Sequence, residues 1–91
     1  MLNFTEVNKY IKNEFPQPWK YQVCDLGEGL IQISVEDGCN LATLIRLLVI
    51  IKKENSKTHK MTAMIPDERK TANAGKCGDW FDGLYANFEE K

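Results

Sequence analysis

Apolar residues recur at helical spacing near the beginning of the chain. Val7, Tyr10 and Ile11 would share one face of a helix, and Thr5 is a residue type preferred at the N-cap. Two prolines follow closely, and they end a helix because proline lacks the backbone N–H and restricts the residue before it. We therefore predict a helix over residues 5 to about 14.

Two later segments alternate between apolar and polar residues, as strands with one buried face do. Residues 19–26 form the first segment and residues 30–35 form the second. Gly27-Glu28-Gly29 separates them, and two glycines so close together are typical of a tight turn. The pattern predicts a β-hairpin, and Asp37-Gly38 predicts another turn soon after it.

The segment over residues 41–54 supports two interpretations. Several leucines fit helical spacing, whereas residues 45–51 are rich in the aliphatic and β-branched side chains that favour strands. We favour a central strand that pairs with a returning strand over residues 58–65. A helix that starts at Asn40 remains the alternative.

The C-terminal segment has a helical pattern of its own. A polar connection over residues 66–78 precedes it, and a connection of that length is typical of a mobile or functional loop. Asp79 could then cap an amphipathic helix that runs to about residue 90. Five hydrophobic residues would form the buried face of this helix: Trp80, Phe81, Leu84, Tyr85 and Phe88.

Together these elements predict an α+β fold, with a small antiparallel sheet of three to four strands flanked by an N-terminal and a C-terminal helix. The chain has 91 residues, which matches a single domain over residues 1–91, and its 43% hydrophobic and 27% charged residues match ordinary folded domains. No apolar run is long enough to span a membrane, and the first residues lack the pattern of a secretory signal. We therefore expect a cytoplasmic protein.

The cysteines and the histidine are the residues most often used in metal binding and nucleophilic catalysis. Cys24, Cys39 and Cys77 are odd in number and widely spaced, which indicates reduced thiols. A structural zinc site takes its ligands in close pairs, and neither the cysteines nor His59 provide such pairs. No signature of a cysteine hydrolase surrounds Cys39 or Cys77. We therefore expect no metal, no cofactor and no enzymatic activity.

The charges are segregated along the chain, although the net charge is only −1. Residues 46–70 contain seven Lys/Arg against three Asp/Glu. A basic hairpin around residues 52–60, with the loop over residues 66–78, could bind nucleic acid, which is our alternative function. The isoelectric point of about 5.8 lies far below that of dedicated nucleic-acid binders. The candidate basic edge has six residues: Lys52, Lys53, Lys57, Lys60, Arg69 and Lys70.

Protein binding is the function that these observations favour. Small acidic α+β proteins often act as stoichiometric inhibitors or accessory factors, of the immunity type or of the phage and mobile-element type, an expectation that rests on fold-level analogy. We expect another protein as the partner. The chain itself would be a monomer or, through an uncovered edge strand over residues 58–65, a homodimer. Four aromatic residues are the candidate interface anchors: Trp19, Trp80, Phe81 and Tyr85.

Overall fold

A computed structural model of the protein describes residues 1–68 and 80–91. In this part of the chain, two helices and four strands follow one another in the order helix, strand, strand, helix, strand, strand. A short 3₁₀ turn, Pro18–Lys20, precedes the first strand. The elements are α1 (Val7–Glu14), β1 (Tyr21–Gly27), β2 (Leu30–Asn40), α2 (Leu41–Glu54), β3 (His59–Glu68) and β4 (Trp80–Glu90).

The four strands form one antiparallel sheet with the order β1-β2-β4-β3. One row of paired residues crosses the whole sheet, from Val23 through Ile33 and Leu84 to Pro66. The C-terminal strand β4 therefore lies between β2 and β3. As a result β1 and β3 are the two edges. Residues 59–65 of the segment predicted as a strand with an uncovered edge belong to β3.

The core lies between one face of the sheet and the two helices. Hydrophobic side chains alternate with polar ones along β2 and β4, and the buried set faces α1 and α2. Burying one such side chain stabilises the fold by roughly 1.5–3 kcal/mol. The protein is therefore an α+β fold with two layers. At its centre are six side chains without solvent exposure: Ile31, Ile33, Leu44, Leu47, Ile51 and Leu84.

The prediction of a C-terminal helix was wrong, because residues 80–90 form the strand β4. Leu84, Ala86 and Phe88 are buried at every second position, which is the period of a strand. Gly83 suits this position because β2 approaches it closely: a Cβ atom there would lie 2.0 Å from the Ile33 backbone oxygen. Pairing with strands distant in sequence therefore overrides the local helical spacing.

The favoured strand over residues 41–54 was also wrong, and the alternative helix is present as α2. Asn40 caps it, since its side-chain oxygen accepts a hydrogen bond from the Thr43 backbone N–H at 3.0 Å. The buried positions then recur at intervals of three and four residues. They are Leu44, Leu47, Leu48 and Ile51.

Other local predictions hold with changed boundaries. The hairpin is confirmed as β1 and β2, and the turn between them contains positive φ angles at Gly27 and Gly29. The N-terminal helix is confirmed as α1, but it begins at Val7, and Thr5 does not cap it. The turn predicted at Asp37-Gly38 was wrong, because β2 continues to Asn40 with an irregular register after Ser34.

The predicted connection over residues 66–78 begins later than expected, because β3 continues to Glu68. Residues 69–79, with Asp79 as the predicted cap, lie outside the described residues. No helix among the residues that the structure describes has the length and hydropathy required to cross a membrane.

Candidate functional site

The antiparallel strands give the sheet two ends with different side chains. We call one the tryptophan end; it comprises residues 19–20, 36–40, 66–68 and 80–82, where β1 and β4 begin and β2 and β3 finish. The opposite end contains the β1–β2 turn, the start of β3 and the end of β4. We call it the histidine end, after His59.

Both tryptophans of the chain lie at the tryptophan end and are exposed. Trp19 sits in the 3₁₀ turn before β1 and has 72% of its surface exposed, and Trp80 opens β4 with 39% exposed. Large aromatic side chains are normally buried for most of their surface. Two exposed indoles therefore lie at the same end of the sheet.

Asp37 connects the two segments that carry these indoles. Lys20, next to Trp19, donates a hydrogen bond from Nζ to the Asp37 carboxylate. Trp80 donates from Nε1 to the Asp37 backbone oxygen at 3.1 Å. The hydrogen bond to Asp37 raises the pKa of the Lys20 ammonium, which keeps this pair charged. One residue of β2 thus holds both tryptophan-bearing segments.

The tryptophan end is acidic. Its segments carry one lysine, Lys20, against five carboxylates, and all but one of these carboxylates belong to exposed residues. Among the residues that the structure describes, those around the two indoles therefore carry more negative than positive charge. The five carboxylates are those of Glu36, Asp37, Asp67, Glu68 and Asp82.

The other two aromatic candidates lie further along β4. Phe81 is partly buried and packs against the core, where it pairs with Cys39. Tyr85 lies on the sheet face opposite the helices, and its hydroxyl accepts a hydrogen bond from Gln32 Nε2 at 3.1 Å. The structure therefore places Trp19 and Trp80 at one end and leaves Phe81 and Tyr85 in separate environments.

The predicted basic hairpin was wrong, because its first two lysines belong to a helix. Lys52 and Lys53 occupy the last turn of α2, where cations complement the helix dipole. Lys57 lies in the turn that follows, and Lys60 pairs across β3 and β4 with Glu89. Glu54 follows Lys53 in the sequence, and Glu89 is the only acidic residue that the sheet register places opposite one of these described lysines. Arg69 and Lys70 lie outside the described residues.

Cys39 and His59, which a cysteine hydrolase would need close together, are far apart. Cys39 pairs with Phe81 near the start of β4, and His59 pairs with Glu90 near its end. At about 3.3 Å per residue, these positions are roughly 30 Å apart along the strand. Burial also raises the pKa of the Cys39 thiol to about 11, which disfavours the thiolate. Cys77, the other candidate, lies outside the described residues.

Sequence analysis missed the residue that brings the tryptophans together. Asp37 was interpreted as part of a turn, and its contacts are with residues that no local pattern connects to it. It also missed Asn55, which is buried at the histidine end and bonds to Asn3 and Ile51. The sequence around Asp37 and around Asn55 contains no pattern that indicates these roles.

The fold and these two ends define a two-layer α+β protein whose four-stranded antiparallel sheet is covered by helices on one face. Comparison with protein-family models, with curated proteins and with solved structures finds no match to this chain.

Proposed function

We propose that the protein is a non-enzymatic protein-binding module that contacts its partner through the tryptophan end. The observation that carries this proposal is the attachment of two exposed indole-bearing segments to Asp37. Tryptophan is enriched among the residues that dominate binding energy at protein interfaces. The site therefore has the residue type that an interface anchor requires.

The attachment to Asp37 favours binding because it limits the freedom of both segments before a partner arrives. Ordering a flexible side chain at an interface costs about 0.5–1.5 kcal/mol. Trp80 already has its indole N–H bonded to the Asp37 backbone oxygen. Its ring can consequently enter an apolar pocket of a partner without leaving an unsatisfied donor.

The acidic side chains around the indoles indicate the chemistry of the partner surface. Glu36, Asp67 and Glu68 are exposed beside the tryptophan segments. A surface that presents lysine or arginine around an apolar pocket would complement them and associate faster at low salt. We propose that the protein acts on such a partner as a stoichiometric inhibitor or accessory factor, of the immunity type or of the phage and mobile-element type.

The test compares Trp19→Ala with Tyr10→Ala. Tyr10 is a matched control because it is an aromatic residue with 44% exposure that lies on α1, away from the tryptophan end. A protein captured from lysate of the source organism by the wild type would be identified, purified and titrated by calorimetry. We expect Trp19→Ala to weaken its affinity at least about tenfold and Tyr10→Ala to leave it unchanged.

Two outcomes would contradict the proposal. One is equal loss of affinity in both variants while each keeps the thermal midpoint of the wild type. The other is capture of nucleic acid alone, which nuclease removes and which a Lys52/Lys53/Lys57/Lys60→Glu variant no longer binds. The second outcome would transfer the function to the basic residues of the histidine end.

A further inference from the structure

The two edges of the sheet differ in the backbone groups that they leave unpaired. The Phe88 N–H donates a hydrogen bond to the Gly29 oxygen at 2.8 Å, one position beyond the pair that Leu30 forms with Asn87. In an antiparallel sheet, hydrogen-bonded and non-hydrogen-bonded residue pairs alternate along each pair of strands. This one bond therefore determines to which side each residue of the regular part of the sheet directs its backbone N–H and C=O groups.

The outer edge of β1 has unpaired donors and acceptors. By this alternation the even-numbered residues of β1 bond to β2, whereas Tyr21, Val23 and Asp25 direct their backbone groups away from the sheet. The Tyr21 N–H bonds to the Pro18 oxygen in the preceding turn. Within the part of the chain that the structure describes, the N–H groups of Val23 and Asp25 and the carbonyls of all three residues are therefore unpaired.

The other edge strand, β3, is protected against pairing. The same alternation directs Pro66 outward, where proline has no N–H to donate. The register of β3 with β4 also shifts before Ala63, and Lys60 places a charge near the start of the strand. Proline, irregular register and lysine are features by which native proteins prevent pairing at an edge. Residues 21–24 of β1 have no proline, charge or register shift, so β1 is the edge that can accept another strand.

The sequence of β1 suits a second copy of itself as the added strand. About a two-fold axis at Val23, an antiparallel copy places Val23 opposite Val23, Tyr21 opposite Asp25 and Gln22 opposite Cys24. No like charges meet in these pairs. The Val23 residues can exchange both of their N–H···O bonds, and each Asp25 N–H can donate to the Tyr21 oxygen of the other copy. The unpaired groups of one copy thus match those of the other.

The charges at the two ends of β1 favour the same antiparallel arrangement. Lys20 precedes the strand, where its ammonium bonds to the Asp37 carboxylate, and Asp25 and Glu28 lie at the opposite end. An ammonium group has three donors, so Lys20 can contact a further carboxylate. An antiparallel copy brings Lys20 of each chain to the acidic end of the other, and opposite charges across strands stabilise pairing.

We infer that two copies of this chain associate through β1 and join their sheets into one continuous antiparallel sheet. The homodimer expected from the sequence then forms at the edge opposite residues 58–65. This inference goes beyond the proposed function, because it concerns the chain alone. Trp80 opens the inner strand β4 and is not part of this edge.

Sedimentation equilibrium and amide hydrogen exchange of the wild type test this arrangement. Because the paired segment is short, we expect reversible dimers to form between roughly 0.05 and 1 mM chain. Over this range the amides of Val23 and Asp25 should exchange at least about fivefold more slowly as the concentration rises. The amide of Met64, which faces outward from β3, should not change. A monomer at the highest concentration, or protection of Met64 instead, would overturn the inference.

A matched pair of double variants places like charges on each edge. Gln22→Lys with Cys24→Lys puts lysines opposite each other across the two-fold axis, and Ala63→Lys with Ile65→Lys adds the same charge to β3 on the same face of the sheet. We expect the first pair to weaken dimerisation at least about tenfold and the second to leave it unchanged. Equal weakening in both would overturn the inference.

Thermal unfolding of dilute samples checks that both double variants fold, and if one does not, the exchange measurements on the wild type decide alone. No partner protein is present in these experiments. A failure to dimerise therefore leaves the proposed function as it stands, and the Trp19→Ala comparison bears only on the proposed function.

Discussion

At the histidine end, polar groups bond to one another inside the protein, whereas at the tryptophan end they hold exposed side chains at the surface. Asn55 illustrates the first use: its side chain makes three hydrogen bonds, to the Asn3 N–H and to the carbonyls of Asn3 and Ile51. Asp37 illustrates the second, because it bonds Lys20 and Trp80 while both tryptophans remain exposed.

The difference indicates which end stabilises the fold and which is free for recognition. A buried polar side chain with all its partners in the protein is costly to replace, because its partners lose their hydrogen bonds. Removing an exposed indole costs the fold little, because much of its surface stays in contact with water. Substitutions at the histidine end should therefore lower stability, and substitutions of the exposed indoles should mainly alter binding.

The largest expected effect is that of Gly29→Ala at the histidine end. Gly29 has φ of 82°, and an added Cβ would lie 1.9 Å from the Phe88 backbone oxygen. The left-handed conformation costs a residue with a Cβ about 1–2 kcal/mol, and the contact forces β4 away and weakens the hydrogen bond from Phe88 N–H to the Gly29 oxygen. Urea unfolding should show a loss of at least about 3 kcal/mol.

Gly27→Ala is the matched control for this prediction. Gly27 also has a positive φ, of 91°, but no atom lies within 4 Å of its added Cβ. Gly27→Ala should therefore lower the free energy of unfolding only by the cost of the left-handed conformation, about 1–2 kcal/mol. If the two variants lose the same stability, the close approach of β4 to the turn does not matter and the histidine end is less rigid than the comparison requires.

The second prediction compares the two asparagines at the ends of α2. Asn55→Ala at the histidine end removes three hydrogen bonds of a side chain that is 2% exposed, so it should cost about 2–3 kcal/mol. Asn40→Ala at the tryptophan end removes only an exposed cap, which should cost about 1 kcal/mol. Denaturant midpoints of the two variants check this order. The reverse order would contradict the division between the ends.

The parts of the fold that were predicted correctly are those that residues close together in the sequence determine. The hairpin was predicted because alternation and the turn glycines are neighbours in sequence. α2 was ambiguous because leucine and isoleucine suit both a helix and a buried strand, and the cap at Asn40 was too weak a signal to decide. β4 was predicted as a helix because aromatic residues at intervals of three and four fit that period, while its true partners lie in β2 and β3.

The candidate site was predictable in its residue types but not in its arrangement. Trp19 and Trp80 were named as anchors from sequence, because tryptophan is common at interfaces. Their placement at one end depends on the central position of β4, which no local pattern reveals. The basic edge stays a prediction, but its arrangement differs from the expected hairpin, because Lys52 and Lys53 lie in the last turn of α2.

The smallest expected effect concerns the pH dependence of the tryptophan end. Burial raises the pKa of the Cys39 thiol from 9.0 to about 11, and burial also raises the pKa of Tyr21. Between pH 9 and about pH 11, the Cys39 thiol is ionised in the unfolded chain and protonated in the folded chain. The folded state then binds more protons than the unfolded state, so stability falls as pH rises from 9 to 11 and is unaffected by this group below pH 9.

Urea unfolding of the wild type and of Cys39→Ala at pH 8 and pH 10.5 isolates this contribution. The substitution lowers stability at both values by removing a buried side chain, and that loss does not depend on pH. We expect the wild type to lose more stability than the variant between the two pH values. The difference between their free energies of unfolding should therefore be smaller at pH 10.5 than at pH 8. If this difference is the same at both pH values, the thiol ionises equally in the folded and unfolded states. The segment around Cys39 would then be as open to water as the indoles beside it.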